Sequence, residues 1–264
     1  MQSVRSWVLG FFCLFAINGL LAQETNAQHP SLASSNPSLA SSNPSVESLN
    51  PSVESSTNRS HQFWRDSLAR LNKEIQASPW STDLHLRKAA VNIELNQWQY
   101  AIDEYTSILK RDSHNPAALF YRAYANTHLR RYPLAKSDYE ELLSYFPRHF
   151  EARLSLSHVL QMMGKDKDAV NTLNLLLQQH PDSAVAYAAR ATLEGNMQQV
   201  PAAVFDWEKA IELSPGNVDY VASLASLLIN ANRHEEARKV LDKAVRTGIP
   251  RSSLSPWYSK LKKK

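Results

Sequence analysis

Cysteine is almost missing from these 264 residues. The single one, Cys13, lies in the N-terminal apolar stretch, so neither a disulfide framework nor a thiolate metal site can be built. Glycine is scarce, at six, which disfavours a β-rich chain full of tight turns. There is no GxGxxG, no phosphate-binding loop and no GxSxG. "HEEAR" at His234 begins like a zinc-protease helix but lacks the second histidine. A basic stripe is missing as well. Setting aside Arg5 and the lysines of the "KLKKK" tail leaves 24 basic residues against 25 acidic ones, too even a balance to track a phosphate backbone. No cofactor, metal site, enzymatic activity or nucleic-acid partner is expected.

Long apolar runs are absent too, except at the N-terminus. Arg5 precedes an uncharged segment, Trp7 to Leu21, and Ala22 or Ala27 offers a small residue for cleavage. The run is short for a membrane span. It predicts a secretory signal peptide over 1–22, with export to the periplasm or envelope of a bacterium, or secretion otherwise. A span that persists after cleavage is not expected. Residues 23–59 hold four seven-residue copies, "HPSLASS NPSLASS NPSVESL NPSVESS". Pro30, Pro37, Pro44 and Pro51 place a helix breaker in every copy, which predicts a disordered spacer.

From residue 60 a period of 34 takes over. "YAIDEYTSILKRD" from Tyr100 is answered by "LAKSDYEELLSYF", "DAVNTLNLLLQQH", "AAVFDWEKAIELS" and "EARKVLDKAVRTG" at successive 34-residue steps. With Thr82 as position 1, position 20 is Ala101, Ala135, Ala169, Ala203 and Ala237. Position 8 is always small: Ala89, Ala123, Ser157, Ala191 and Ala225. Position 24 is always large: Tyr105, Tyr139, Leu173, Trp207 and Leu241. Pro147, Pro181 and Pro215 stand at position 32. Apolar residues within each unit recur at helical spacing in two runs, so each unit is a helix pair whose small residues permit close approach. A single pair cannot bury its apolar face, so the units must stack.

The step, the small–small–large pattern and the proline resemble the tetratricopeptide repeat family. The resemblance implies an all-α, right-handed α-solenoid of five repeats, 82–115, 116–149, 150–183, 184–217 and 218–249. A capping helix over 60–81 and a C-terminal cap with a basic tail over 250–264 would flank it. Tryptophan is missing at the family's position 4, where His85, Leu119, Arg153, Tyr187 and Val221 stand.

In the family, the first helix of each unit lines a concave groove that binds a peptide or partner domain. The resemblance places Leu86, Phe120 and Leu154 at groove position 5, and Tyr124, His158 and Thr192 at position 9. Phe120 and Tyr124, four residues apart on one face, are expected to be exposed anchors, with Leu154 and His158 as a matching ledge one unit on. The family's carboxylate clamp needs Lys and Asn where Leu86 and Ala90 stand, so that specificity is not expected. The alternative to a groove ligand is a structural subunit of an envelope complex that works through its convex face or ends.

A finer pattern sits inside the repeats. Wherever position 7 is basic, position 23 is acidic: Lys88 with Glu104, Arg122 with Asp138, Arg190 with Asp206. Where position 7 is Leu156 or Leu224, position 23 is Thr172 or Val240. This predicts structural ion pairs between the two helices of a unit. His114, His149 and His180 fall near inter-repeat turns and are expected to be solvated there.

Overall fold

A computed structural model describes residues 51–262, so residues 1–22, expected to be a signal peptide, the first three heptapeptide copies and the end of the basic tail lie outside the described residues. These residues form twelve α-helices, one short 3-10 turn and no strand. In chain order the helices are α1 (Pro51–Ala77), α2 (Thr82–Glu94), α3 (Trp98–Leu109), α4 (Pro116–His128), α5 (Tyr132–Tyr145), α6 (Phe150–Met162), α7 (Asp166–Gln179), α8 (Ala184–Asn196), α9 (Val200–Leu213), α10 (Val218–Asn230), α11 (His234–Arg246) and α12 (Ser255–Lys262). The chain divides into two compact units, Met1–Ala125 and Asn126–Lys264.

In the first unit α2 packs between α1 and α3. In the second, α5 packs on α6, each helix from α6 to α11 packs on the one before it and the one after it, and α12 rests on α10 and α11. Contacts limited to chain neighbours are the signature of a repeat stack.

The small residues expected at positions 8 and 20 are buried in every unit, from Ala89 and Ala101 to Ala225 and Ala237. All five large residues at position 24 are buried with them. Position 27 is closed too, by Ile108, Leu142, Leu176, Ala210 and Ala244. Position 28 is less uniform: Leu109 and Leu177 are buried, whereas Leu143, Ile211 and Val245 are only partly so. Ala169 lies at the fully closed position 20. Ala169→Trp is therefore expected to overpack the α6–α7 contact and lower stability by about 1–3 kcal/mol. Thermal unfolding read by circular dichroism tests this, and an unchanged midpoint would refute the packing.

Two backbone devices recur at fixed register. Position 34 caps the first helix of the next unit. Ser81, Asn115 and Ser183 accept from the amides of Leu84, Ala118 and Ala186, and Asn217 accepts from those of Asp219 and Tyr220. His149 plays the same part through Nδ1, which accepts from the Ala152 amide at 3.3 Å. Position 15 is the left-handed residue that turns the first helix into the second: Asn96, Arg130, Gly164, Gln198 and Asn232, all with φ between 57° and 71°. The next amide reaches back to the carbonyl at position 11, as Lys165 does to Leu160 at 2.9 Å. That closes the helix end with a Schellman-type bond. Gly164, and more weakly Asn96 and Asn232, announce this conformation by residue type, whereas Arg130 and Gln198 do not.

One expectation needs correction. Helix α1 starts at Pro51, inside the stretch read as disordered spacer, and not near His61. The fourth proline stands at the helix start, where its missing N–H costs no bond and its fixed φ suits the helix. No proline follows until Pro79. The C-terminal cap, in turn, keeps the repeat register. Leu254, Tyr258 and Leu261 occupy positions 3, 7 and 10 of a sixth first helix, and all three are buried.

Candidate functional site

Of the residues expected to line the groove, Leu86 and Phe120 are half-buried. Phe120 sets its ring edge-on to Tyr121, with centroids 5.1 Å apart. Tyr124 is only 8% exposed and lies edge-to-face with Trp98, the first residue of α3, at 6.0 Å. Leu154 is 4% exposed. Tyr124 and Leu154 are therefore core residues and not exposed anchors. Position 5 is closed throughout the second unit, by Leu154, Ala188 and Ala222, because that face of the first helix turns into the stack.

Position 9 stays partly open there. His158, Thr192 and Ser226 are half-buried and carry hydrogen-bonding groups at one register place in three successive repeats. The Thr192 hydroxyl donates to the Ala188 carbonyl at 2.8 Å, and Ser226 Oγ accepts from Trp257 Nε1 at 2.7 Å. Gly195 stands at position 12, where an added Cβ would make ordinary contact with Leu227 Cδ1 at 3.4 Å.

The exposed large apolar side chains lie elsewhere. Among the described residues they occupy mainly second helices and the turns after them, as with Tyr100, Leu134, Leu175 and Phe205, while Met162 ends a first helix. Trp80, 77% exposed, sits in the turn after α1. Arg111 donates to its carbonyl at 2.6 Å and lies 5.5 Å from its ring centre.

The basic–acidic register brings Lys88 to Glu104 and Arg190 to Asp206. Lys88 Nζ lies 2.8 Å from Glu104 Oε1, and the other carboxylate oxygen of Glu104 lies 2.5 Å from His85 Nδ1. Arg190 donates from Nε and Nη2 to the two oxygens of Asp206 at 2.6 and 2.8 Å, a bidentate pair, and from Nη1 to Asn174 Oδ1 at 2.7 Å. Glu194 adds a second carboxylate 4.0 Å from Arg190 Nε. Arg122 and Asp138 fall in different compact units. Arg122 Nη1 lies 3.4 Å from Thr106 Oγ1, across the same sixteen-residue step that joins Arg190 to Asn174 and Tyr258 to Asp242. This step links position 7 to position 25 of the preceding unit, a tie between repeats that the sequence reading missed.

Of the turn histidines His114 is exposed as expected, whereas His149 and His180 are half-buried. His149 is a helix cap, and its side chain, with Nδ1 3.3 Å from Glu151 Oε2, holds that carboxyl below the usual carboxylate range. His180 stands edge-on to Phe150 at 5.1 Å with Nε2 buried. In place of the family's position-4 tryptophan, His85 Nε2 lies 2.9 Å from the Pro79 carbonyl, and Arg153 donates to the Pro147 carbonyl. A position-4 side chain thus fastens the preceding turn by hydrogen bonding. No cluster of three metal-ligating side chains occurs among the described residues. No helix among them is long and apolar enough to cross a membrane.

Two family models, both described as tetratricopeptide repeat, match the chain. One matches residues 126–193 and the other residues 86–136 and 188–252. The DnaJ homolog subfamily C member 7 homolog of Dictyostelium discoideum is 24% identical over 194 residues, 67% of this chain and 36% of that protein. The chain spans about a third or less of the length of the curated relatives it matches. Among solved structures, a tetratricopeptide repeat protein from Parabacteroides merdae superposes with a TM-score of 0.63 at 20% identity, over 81% of this chain and 86% of its own. YrrB, described as a repeat protein with an unusual peptide-binding site, gives 0.53 at 19% identity, over 67% and 92%.

Proposed function

Since the chain belongs to the tetratricopeptide repeat family, we propose that it is an exported scaffold that holds an extended peptide or partner domain along its first helices. Proteins of this family are generally protein–protein interaction scaffolds and typically not enzymes. The observation that carries the groove reading is the row at position 9. His158, Thr192 and Ser226 keep hydrogen-bonding groups partly accessible beside the small residues Ala188, Ala222 and Gly195. Such a lane suits a main chain lying close, with its amides and carbonyls as the recognised groups. The likeness to YrrB, whose description names a peptide-binding site, supports the same reading. Export rests on Arg5, the apolar segment Trp7 to Leu21 and Ala22.

A second reading, a structural subunit using its second helices, is favoured by the exposed Leu175 and Phe205. Crosslinking capture of the native partner with two variants separates the readings. His158→Glu with Thr192→Glu is expected to weaken capture at least tenfold, about 1.4 kcal/mol, while Leu175→Ser with Phe205→Ser leaves it unchanged. The reverse result, in variants shown to be folded, establishes the second reading.

A further inference from the structure

We propose that Glu194 is a proton-binding site inside the fourth repeat, which keeps its proton to higher pH in the folded chain than in the unfolded one, and that its ionisation loosens the α8–α9 hairpin as pH rises. The residue is almost completely enclosed, and its Oε2 is buried without a hydrogen-bond partner. A neutral carboxyl tolerates that enclosure far better than a carboxylate does.

The one cation beside it is already committed. Arg190 gives Nε–H and one Nη2–H to Asp206 and an Nη1–H to Asn174, whereas Glu194 Oε1 stands off at 4.0 Å. Two carboxylates thus compete for one guanidinium, and Asp206 holds the bidentate geometry. The charged groups acting on Glu194 are Asp206 from α9 and Arg190 from its own helix, while α7 contributes the uncharged Asn174. Burial, and then the Asp206 charge, push the Glu194 carboxyl above the ordinary carboxylate value, against a smaller opposing pull from Arg190.

The other repeats show that the site needs no charge. Position 11 is Asn92 and Asn126 in the first two units and Leu160 and Leu228 in the third and fifth, and all four are buried. A carboxyl at this position therefore adds a titration that the fold does not require.

The sign follows from linkage. A carboxyl whose folded value is raised binds its proton more tightly in the native chain than in the unfolded one. The stability it adds is fully present below the unfolded value and is lost as pH rises through the folded value.

The experiment measures thermal unfolding of the full chain and of Glu194→Gln between about pH 4 and about pH 8. The two midpoints are expected to agree at the acid end. The glutamine variant should then become progressively more stable than the parent as pH rises. A difference that stays constant with pH overturns the proposal. A second readout needs no variant: the carboxyl carbon shift of Glu194 in glutamate-labelled protein is expected to titrate above the solvent-exposed glutamates. Titration in the ordinary range overturns the proposal equally.

Discussion

Asp206→Ala is expected to cost about 3–5 kcal/mol of folding stability, the typical loss when one partner of a buried ion pair is removed. The Asp206 side chain is 2% exposed and that of Arg190 20%, so the guanidinium cannot swing into water to replace what it loses. Its Nε and Nη2 would keep no acceptor at bonding distance, because Glu194 Oε1 remains 4.0 Å from Nε unless the helix moves. The geometry is a planar fork on a carboxylate, which a lysine could not reproduce. Lys88 and Glu104 offer a contrast. That pair is more open, and Glu104 also meets His85, so Lys88→Ala should cost much less. Urea unfolding measures both, with an unchanged slope required for the comparison. If Asp206→Ala unfolds within about 1 kcal/mol of the parent, the range of an exposed pair, the Arg190 cluster is not what ties α8 to α9.

Trp207→Ala should cost a similar amount, about 3–5 kcal/mol, through a cavity and not a charge. Trp207 is the largest residue at position 24. It belongs to the core formed with Ala188, Ala191, Val221 and Ala225, and its ring lies 5.9 Å from that of Tyr220. Its neighbours are mostly small and helical, so they cannot collapse far into the void. Because the repeats bind only their chain neighbours, the loss should fall on the junction of α9 with α10. Hydrogen exchange is therefore expected to accelerate in α9, α10 and α11 before it does so in α5 and α6. Uniform acceleration across the second compact unit would show instead that it unfolds as a single cooperative block.

The packing skeleton could be read without coordinates. Period, small residues at 8 and 20 and bulk at 24 each report a contact that every unit makes with the next, so the constraint is written five times over. The pairs Lys88–Glu104 and Arg190–Asp206 were legible for the same reason, because charge at one position tracked charge at the other. Position 15 was legible only in part. Gly164, Asn96 and Asn232 are types that favour the left-handed turn, but the helix pair imposes it on Arg130 and Gln198 as well. The start of α1 was missed because proline was read only as a breaker, whereas at a helix start it costs nothing.

What the sequence by itself determined is the repeat: its length, its helix pairs, its core positions and the family to which it belongs. These follow from local periodicity and from contacts repeated at a constant step. Which side of each first helix remains open was decided only by the tertiary structure. Tyr124 and His158 share a register position, yet Tyr124 is enclosed beside Trp98 while His158 stays half open. Register fixes the direction in which a side chain leaves its helix, but the neighbours it meets there come from packing. The enclosure of Glu194 was decided in the same way. As sequence it is an ordinary helical glutamate four residues after an arginine. Asp206, brought in by α9, claims that arginine first.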